Sequence, residues 1–574
     1  MLHKIYANND NCKIIELVSG LNIIVANKTL TSTVKDSTNG TGKTSIINVI
    51  DFCLGAEHNK NSFFSNNFFS EWEFTLEATI GNNYLIITRS TQKADIVKIK
   101  GNISKFSVKP QSSSNNVHIY SIPDWRKLLG IYLFGQTETT PSYRELIHFF
   151  VRPRDDSYDN PFETVKKLKA LNNHVNVAYI FGLDYKAIIS IDELKKKQTL
   201  LTGYLQYIKH QFNAESKGEL ITEKALIESS IHNLSQTIQS FKINPKYQET
   251  QSKTNELTKK IHEAVNEKNF LSLKLSNYHN AIQEEHAPDI SFFDELYKEA
   301  GYVFNKDIQK TLEEAKEFHF NIIKNRKLFL EAEINETTLK ISNLTIEIKE
   351  LDDERSSLMA FMRSHGALEE FTAIQKEFSE KANELARVQA AIENFEKYEQ
   401  DIKKNTEALK IARERLENSY NLNQDTLNRL ITLFNQNTEA LYNTSGSLII
   451  NPHKDNYKFE IKIAKEKSDG ISKMKVFCLS LILLEYFSSR GLIDFLVHDS
   501  KIFDGVDPRQ IANALKLVVE RSKKTNMQYL CFMNYNVFDE MKNINNAPYD
   551  ATSYVRLQLS DENETGGFFG SSFN

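Results

Sequence analysis

The stretch Asn39-Gly40-Thr41-Gly42-Lys43-Thr44-Ser45 follows the apolar run Leu21-Asn22-Ile23-Ile24-Val25 and leads into a segment, Ser45 to Leu54, with the apolar spacing of a helix. Polyphosphates are bound by backbone N–H groups that a glycine-rich turn points inward, by a lysine cation and by a hydroxyl group that coordinates magnesium. The quoted stretch contains all of these groups in the required order. A strand, a phosphate-binding loop and a helix are therefore predicted here.

This loop departs from the common pattern at one position. The pattern GxxxxGK[ST] has glycine where Ser37 stands, although the second glycine, the lysine and the threonine are all present. The N-terminus of the following helix also carries partial positive charge, which favours a bound phosphate. The residues expected to contact a nucleotide are Asn39, Gly40, Thr41, Gly42, Lys43, Thr44 and Ser45.

The composition favours long helices and does not identify a partner. The 574 residues include only 20 glycines and 10 prolines, and the net charge of −4 does not distinguish between partners, because a balanced total can hide a basic patch. The four cysteines form no CxxC pair, so neither a disulfide framework nor a zinc site is indicated. Because no apolar run approaches the roughly 20 residues that cross a bilayer, we expect a cytoplasmic protein without membrane contact.

Changes of pattern divide the sequence into three segments. Residues 1–185 mix short apolar strands with turns, residues 186–444 have coiled-coil periodicity with breaks near 245, 288 and 365, and residues 445–574 return to strands before a flexible tail. Because the helical segment separates two α/β halves, we expect both ends of the chain to fold into one domain. The predicted strands include 84–87, 117–120, 448–450, 457–461 and 528–533.

The helical segment contains regular heptads. Two seven-residue registers are apolar: Ile323, Leu330, Leu344, Leu351 and Leu358 form one, and Phe371, Phe378, Leu385 and Ile392 form the other. The breaker Arg363–Gly366 separates them, so the two helices are predicted to pair as an antiparallel hairpin. The break at His286–Asp289 marks either the tip of an arm or an elbow within it. A helix of about 60 residues would be about 90 Å long.

A second motif lies far downstream of the loop. Leu492–Asp499 reads as a buried strand that ends in a carboxylate, and the segment FDGVD follows it at Phe503–Asp507. Enzymes with a phosphate-binding loop place a magnesium-coordinating aspartate after such a strand. Thr44 and Asp499 are therefore the predicted ligands of Mg²⁺.

Three segments together resemble SMC-like ABC ATPases: NGTGKTSIINVIDFCLG at 39–55, the long coiled coil, and FLVHDSKIFDGVDPRQIANAL at 495–515. More narrowly, IDFCLG, HDSKIFDGVDPRQ and the segment FHFNIIKNRKLFL at 318–330 resemble an uncharacterised family of coiled-coil ATPases from bacterial anti-phage defence loci, including ABC three-component systems. The motifs at the two ends of the chain are specific to this resemblance, whereas the coiled coil is not.

The resemblance implies an α/β ATPase head of the ABC/SMC type, assembled from the N- and C-terminal segments, with a long antiparallel coiled-coil insertion. Its ligands would be ATP and Mg²⁺, and two heads would form a homodimer that holds ATP between the loop of one copy and a signature loop of the other. That signature loop maps to Lys467–Lys473, ahead of a helix from Met474 to Phe487, although a plain helix N-cap explains these residues equally well. The further nucleotide contacts would be Ser468, Gly470, Ser472, Asp507 and Asn534.

Two more polar residues are candidates near the nucleotide. Gln136 would be a glutamine that contacts the γ-phosphate, and Arg89 an arginine beside the nucleotide. For each, an ordinary exposed loop residue is the alternative.

The residue after the metal-binding aspartate departs from the family pattern. Ser500 stands where such ATPases usually have a catalytic glutamate, and a serine is not a strong general base. Because positioned acid–base groups contribute about 10²- to 10⁴-fold to a rate, hydrolysis is predicted to be slow unless Asp494, Asp504 or another nearby carboxylate replaces the missing glutamate. The predicted catalytic residues are therefore Asp499, Ser500 and Asp504.

Two classes of function fit these features. The first is an SMC-like ATPase that dimerises on ATP, associates with double-stranded DNA and regulates a partner effector such as a nuclease in anti-phage defence, with DNA repair as a variant. Basic residues that could serve DNA are Arg144, Arg152 and Arg154. The second is a nucleotide-gated coiled-coil adaptor that binds a protein and not DNA, and salt-sensitive DNA binding distinguishes the two. A nuclease site within this chain is not indicated by the sequence.

Overall fold

The computed structural model describes residues 1–27, 42–152, 155–164, 168–241, 245–284, 306–363, 368–463, 469–544, 550–560 and 565–570. Two compact units divide the chain. The α/β unit contains Met1–Asp192, Ser291–Glu314 and Ala412–Asn574, and the helical unit contains Glu193–Ile290 and Ala315–Ile411. The predicted mixed α/β fold class is confirmed, and both ends of the sequence belong to the same unit.

One sheet of the α/β unit is parallel. Its strands, in spatial order, are β14 (Val555–Ser560), β3 (Gly20–Asn27), β13 (Gln528–Asn534), β12 (Phe495–His498) and β9 (Val151–Arg152). The N-terminal strand β3 is therefore hydrogen-bonded on both sides to strands from the C-terminal segment. These strands are almost continuously apolar because a parallel sheet is covered on both faces.

A second sheet of this unit is antiparallel. Its strands, in spatial order, are β2 (Ile15–Glu16), β1 (Leu2–Ala7), β4 (Glu73–Ile80), β5 (Asn83–Ser90), β6 (Ile96–Gly101), β8 (Val117–Ser121) and β7 (Ser112–Ser114). A separate hairpin is formed by β10 (Ser447–His453) and β11 (Asn456–Lys462). The strands predicted at 84–87, 117–120, 448–450, 457–461 and 528–533 are confirmed.

Helix α1 (Lys43–Cys53) packs between the two sheets, against β4 and β5 on one side and β9 on the other. Its buried face contains Ile46, Ile47, Val49 and Ile50, as the apolar spacing predicts. The other helices of this unit are α2 (Ile122–Phe134), α3 (Tyr143–Ile147), α4 (Ala170–Ile180), α10 (Gln424–Tyr442), α11 (Asp469–Ser488), α12 (Pro508–Ser522) and α13 (Tyr535–Lys542).

The helical unit is built from long helices. They are α5 (Tyr185–Gln211), α6 (Lys217–Ser240), α7 (Pro245–Glu284), α8 (Lys306–Arg363) and α9 (Leu368–Leu422). At 58 residues α8 is about 87 Å long, close to the length predicted from the heptads. Of the helices that the structure describes, none is both long and apolar enough to cross a membrane.

The predicted hairpin of α8 and α9 is present where the two helices meet, because Met362 and Phe371 pack together beside the break between them. The break at 286–289 lies outside the described residues.

The structure gives the path of the chain through the helical unit, which the sequence leaves open. Helix α6 runs antiparallel to α9, since Lys217 pairs with Glu396 while Phe241 packs on Phe371. Helix α7 runs parallel to α9, as three polar contacts at increasing positions in both helices show: Asn255–Gln375, His262–Ser379 and Asn269–Asn383. The chain therefore reverses direction between α6 and α7, so the helical unit contains more than one outward and return pass.

The prediction of a flexible tail is wrong for residues 565–570. Phe568 and Phe569 are buried, each with 1% of its surface exposed. Aromatic rings in a glycine-rich segment can dock as readily as they can remain in solvent, and the composition alone does not distinguish the two outcomes.

A buried glutamine connects the two sheets. The side chain of Gln528, at the start of β13, accepts the backbone N–H of Leu2 at 2.8 Å and donates to the Leu2 carbonyl at 2.7 Å and the Val18 carbonyl at 2.9 Å. Leu2 belongs to the antiparallel sheet and Gln528 to the parallel sheet. One amide group thus satisfies three backbone groups at the junction of the sheets.

We expect Gln528→Ala to destabilise the α/β unit by about 2–4 kcal/mol, because each buried backbone group left without a partner is costly. The midpoint of thermal unfolding should fall by several degrees when it is followed by tryptophan fluorescence. Both tryptophans of the chain, Trp72 and Trp125, lie in this unit, so the signal reports on it alone. The exposed Gln424→Ala serves as the control, and equal midpoints for the two variants would contradict the expectation.

Candidate functional site

Two of the predicted site residues meet at the start of α1. Helix α1 begins after Gly42, whose φ of 88° lies in the left-handed region. The hydroxyl of Thr44 donates a hydrogen bond to Oδ2 of Asp499 at 2.7 Å, although 455 residues separate them in the sequence. Thr44 is exposed and Asp499 is buried directly after β12. A hydroxyl and a carboxylate are thereby placed side by side at the carboxyl edge of the parallel sheet, where α/β proteins usually bind ligands.

The lysine of the loop is held at the same edge. The ammonium group of Lys43 donates to Oδ1 of Asn534, which follows directly on the buried part of β13. Burial lowers the pKa of Lys43, while the charges of Asp499 and Asp504 act in the opposite direction. Lys43, Thr44, Asp499 and Asn534 thus form one continuous polar group from three elements of the fold.

Asp499 is fixed by neighbours that the motifs do not reveal. Its backbone N–H donates to the hydroxyl of Tyr158 at 2.7 Å, and that hydroxyl donates to the Arg152 carbonyl at 3.1 Å. The Ser500 hydroxyl donates to Oδ1 of Asp499 at 2.9 Å. Both carboxylate oxygens of Asp499 therefore accept hydrogen bonds. Tyr158 lies in a polar segment with no recognisable motif, so only the folded chain identifies it.

The two carboxylates considered as replacements for the missing glutamate lie in different places. Asp504 ends the turn Ser500–Phe503, and its pKa is raised, first because its carboxylate is partly desolvated and further because of the charge of Asp499. Asp494 precedes β12 at its opposite end, about 16 Å away along the strand, and binds the amino group of Met1. Asp494 is therefore not at this site, and Asp504 remains the candidate.

The helix that follows the predicted signature loop begins earlier than predicted. Helix α11 starts at Asp469 and not at Met474, so Gly470 and Ser472 lie in its first turn. A Cβ atom on Gly470 would lie 2.4 Å from the carbonyl oxygen of Gly505, which shows that α11 packs tightly on the turn after Asp504. Ser45 is buried within α1. Asn39, Gly40, Thr41 and Ser468 lie outside the described residues.

Asp507 and Gln136 make local contacts. Asp507 caps α12, where its carboxylate accepts hydrogen bonds from the backbone and the side chain of Arg509, and these bonds lower its pKa. Gln136 is buried and donates to the carbonyl of Pro141, so it does not extend towards Thr44 and Asp499 as a γ-phosphate contact would.

The far end of α1 is bound by side-chain donors. Its last turn and the residues after it expose carbonyl groups, because the final four carbonyls of a helix have no partner within the helix. These carbonyls accept hydrogen bonds as follows: Phe52 and Ala56 from Arg89, Cys53 from Trp125, Leu54 from Tyr143 and Gly55 from Arg126. Arg89 is thus about 16 Å from the loop along α1 and does not contact a nucleotide there.

The arginines considered for DNA are mostly internal. Arg144 donates to both carboxylate oxygens of Asp51 at 2.7 and 2.8 Å, and Arg152 is fully buried with its guanidinium on the Ser157 and Pro161 carbonyls. Arg154 lies outside the described residues. This part of the sequence therefore provides no basic surface from Arg144 or Arg152.

The groups at the start of α1 fit a magnesium–nucleotide complex better than a free metal ion. Within the residues that the structure describes, no group of three or more His, Cys, Asp or Glu could hold a metal. Mg²⁺ usually takes one or two protein ligands and completes its shell with waters and substrate phosphates. The adjoining oxygens of Thr44 and Asp499 match that requirement, and Lys43 supplies the positive charge that phosphates need.

Comparison with known proteins gives relatives without an assigned activity. A family model described as "Uncharacterised protein conserved in bacteria (DUF2326)" matches residues 437–573, which include Asp499, Asn534 and residues 565–570. The chain is 20% identical over 605 residues to "Uncharacterized protein YydD" of Bacillus subtilis (strain 168), with 96% of each chain covered.

Three solved structures are similar to the chain over most of their length. The Smc head domain with a coiled coil and joint from Pyrococcus yayanosii has 13% identity and a TM-score of 0.38, covering 99% of this chain and 96% of that one. The Smc head domain with an extended coiled coil bound to the C-terminal domain of ScpA, from Pyrococcus furiosus, has 12% identity and a TM-score of 0.31, covering 94% and 90%. The recombination mediator protein RecF-ATPrS has 11% identity and a TM-score of 0.24, covering 93% and 92%. TM-scores this low do not by themselves establish a function for this chain.

We expect Arg89→Met to lower the thermal midpoint of the α/β unit by several degrees, because the Phe52, Ala56 and Ala94 carbonyls lose their buried donor. Tryptophan fluorescence again provides the measurement. Arg490→Met, at an exposed arginine, is the control. If the two midpoints were equally lowered, the hydrogen bonds at the end of α1 would not be what stabilises this helix.

Proposed function

We propose that this chain is an SMC-like ABC ATPase whose α/β unit binds ATP with Mg²⁺ at Lys43, Thr44 and Asp499. The hydrogen bond of 2.7 Å between Thr44 and Asp499 supports this most directly. Two polar residues from opposite ends of the chain lie side by side, which indicates either a shared ligand site or a shared structural role. The position of Lys43 beside them favours the ligand site. A bound magnesium ion would neutralise charge on the phosphate oxygens.

Each side chain of the site has a role in this proposal. Lys43 pairs with the phosphates, and Asn534 holds its ammonium group at the sheet edge until a ligand arrives. Thr44 and Asp499 provide the metal ligands, while Ser500 and Tyr158 orient the carboxylate and the backbone of Asp499. Asp504 accepts the proton of the attacking water, which a serine at position 500 cannot do. Because this base does not stand at position 500, where such ATPases usually have their glutamate, turnover should be slower than in those enzymes, and the protein would act as a nucleotide-dependent switch.

Association of two copies would complete the site. The first turn of α11, with Gly470 and Ser472, has backbone N–H groups free of helix partners and suits a phosphate bound to the second copy. The packing of Gly470 on Gly505 fixes this turn relative to Asp504 within one chain. Asp507, at the start of the next helix, would lie at the same contact between copies.

The role of the switch is inferred from the resemblance to defence-locus ATPases. In this proposal the ATP-bound homodimer associates with double-stranded DNA and regulates an effector protein, such as a nuclease, during anti-phage defence. The buried positions of Arg144 and Arg152 mean that a DNA-binding surface would have to use other residues.

A nucleotide-gated adaptor is the second candidate, and one observation favours it. Large apolar side chains of the helical unit are exposed, among them Tyr207 at 67%, Leu226 at 68% and Phe270 at 67%. Exposed apolar side chains on helices are suited to a protein partner and not to a phosphate backbone. In this alternative the ATP site is unchanged and DNA plays no part.

Lys43→Ala should weaken ATP binding by about 10- to 100-fold, because a charge-assisted contact with the phosphates is lost. Asp499→Asn should retain Mg²⁺-free binding and lose the gain that Mg²⁺ provides. Both variants should fail to dimerise with ATP and Mg²⁺ in light scattering after size exclusion, whereas the exposed-lysine control Lys524→Ala should behave as wild type. Wild-type protein that binds no ATP would end this proposal.

The same samples distinguish the two candidate roles. Retention of duplex DNA that requires ATP and falls steeply with salt would support the DNA-associated switch. ATP-dependent dimers that retain no duplex DNA even at low salt would support the adaptor.

Turnover should depend on pH through Asp504. A base must be deprotonated, so the rate constant for hydrolysis should fall as the pH is lowered through the pKa of Asp504, and the raised pKa moves this fall to a higher pH than for an ordinary aspartate. Asp504→Asn should reduce turnover about 10²-fold and abolish this pH dependence. An unchanged pH profile in Asp504→Asn would assign the proton transfer to another group.

A further inference from the structure

The C-terminal segment Thr565–Gly570 is anchored by an aromatic cluster of the α/β unit. The ring of Phe569 lies 4.9 Å from that of Phe69 and 5.4 Å from that of Trp72, measured between centroids, with Phe74 at 6.1 Å. These distances are within the range of favourable aromatic pairs. Phe569 thus fixes the segment to β4 and to the residues just before it.

Hydrogen bonds to two backbone carbonyls of the same segment, those of Gly566 and Phe568, also hold it in place. The backbone N–H of Lys13 donates to the Phe568 carbonyl at 2.9 Å, and the Lys13 ammonium donates to the Gly566 carbonyl at 2.8 Å. The N–H of Ser560, the last residue of β14, also donates to the Gly566 carbonyl, at 3.1 Å. The segment is therefore held by Ser560 at the end of β14 and by Lys13, which lies between β1 and β2.

The segment so held lies against the end of the phosphate-binding loop. A Cβ atom placed on Gly42 would be 3.0 Å from Cβ of Phe568 and 3.4 Å from its backbone nitrogen. Gly42 is the last loop residue before Lys43 and adopts a φ of 88°. No other residue type fits this position easily, both because of its backbone angle and because Phe568 occupies the space.

We propose that Thr565–Gly570 is a positioning element for the phosphate-binding loop and keeps Gly42 and Lys43 in the arrangement that accepts phosphates. The inference rests on the proposed function, since it concerns the same ATP site. The segment acts through Gly42 and makes no catalytic contact of its own. Because coupling between two sites is reciprocal, a nucleotide that is bound more tightly when the segment is docked must also hold the segment in place.

Two variants test the coupling from the side of the segment. Phe569→Ala removes the aromatic anchor, and Gly566→Ala displaces the turn, since its Cβ would lie 2.4 Å from the Ser560 carbonyl oxygen. We expect each to weaken binding of a fluorescent ATP analogue about tenfold, within the usual range of coupling between sites. The control is Phe106→Ala, a buried phenylalanine of the same unit that packs on Tyr132 and not on the segment. It should lower the thermal midpoint but leave the affinity unchanged.

Hydrogen exchange in the unmodified chain tests the coupling from the side of the nucleotide. The docked segment is expected to raise the affinity for ATP about tenfold. By reciprocity, ATP with Mg²⁺ should slow amide exchange in residues 565–570 by about the same factor. Exchange at 96–101, in β6, is the internal reference and should not change. This measurement remains decisive if a variant fails to fold.

The outcomes separate this inference from the proposal on which it rests. Suppose that the wild-type protein binds ATP but the variants bind it with unchanged affinity, or that ATP does not change amide exchange in the segment. Either result would overturn the positioning role and leave the ATPase proposal standing. An affinity loss in Phe106→Ala equal to that in Phe569→Ala would also overturn it, because general destabilisation would then explain both. Wild-type protein without ATP binding would overturn both.

Discussion

The pairing of β3 with β13 and β14 is the constraint on which the rest of the α/β unit depends. An N-terminal strand is hydrogen-bonded on both edges by strands from the C-terminal segment, so neither half of the chain can form this sheet alone. The same pairing places Lys43 at the start of α1 beside Asn534 at the end of β13, and β12 then brings Asp499 to Thr44. The candidate site thus depends on the order of the strands in the sheet and on very few contacts between residues that are close in sequence.

The electrostatics of the site follow from this arrangement. A buried lysine lies near two carboxylates, and hydrogen bonds from Thr44 and Ser500 occupy both oxygens of Asp499. Burial of unlike charges is tolerated because each group has a partner within the protein. In the proposed function, binding of a phosphate ligand would exchange these internal partners for external ones.

Local patterns predict those parts of the structure that short-range physics determines. The strand before the loop, helix α1, the strand at 528–533 and the heptads of α8 and α9 follow from apolar periodicity, and motifs alone pair Thr44 with Asp499. Sequence patterns do not predict those features of the fold that depend on contacts between residues far apart in the chain. Heptads contain no information on direction, so the reversal between α6 and α7 is invisible in them. Arg89 and Tyr158 bind backbone groups that only the fold brings near, and the burial of Phe569 requires a cluster formed elsewhere in the chain.

The position of β3 also has a consequence for biosynthesis. A ribosome makes this strand first and its neighbours in the sheet hundreds of residues later, with the entire coiled-coil insertion in between. During translation the mostly apolar stretch Gly20–Ala26 has no strand paired with either of its edges in the parallel sheet. Unpaired stretches of this kind are sites of aggregation. Contacts this distant in sequence also slow folding. The sheet of the nascent chain therefore closes late, and protection by chaperones during that interval would be of direct benefit.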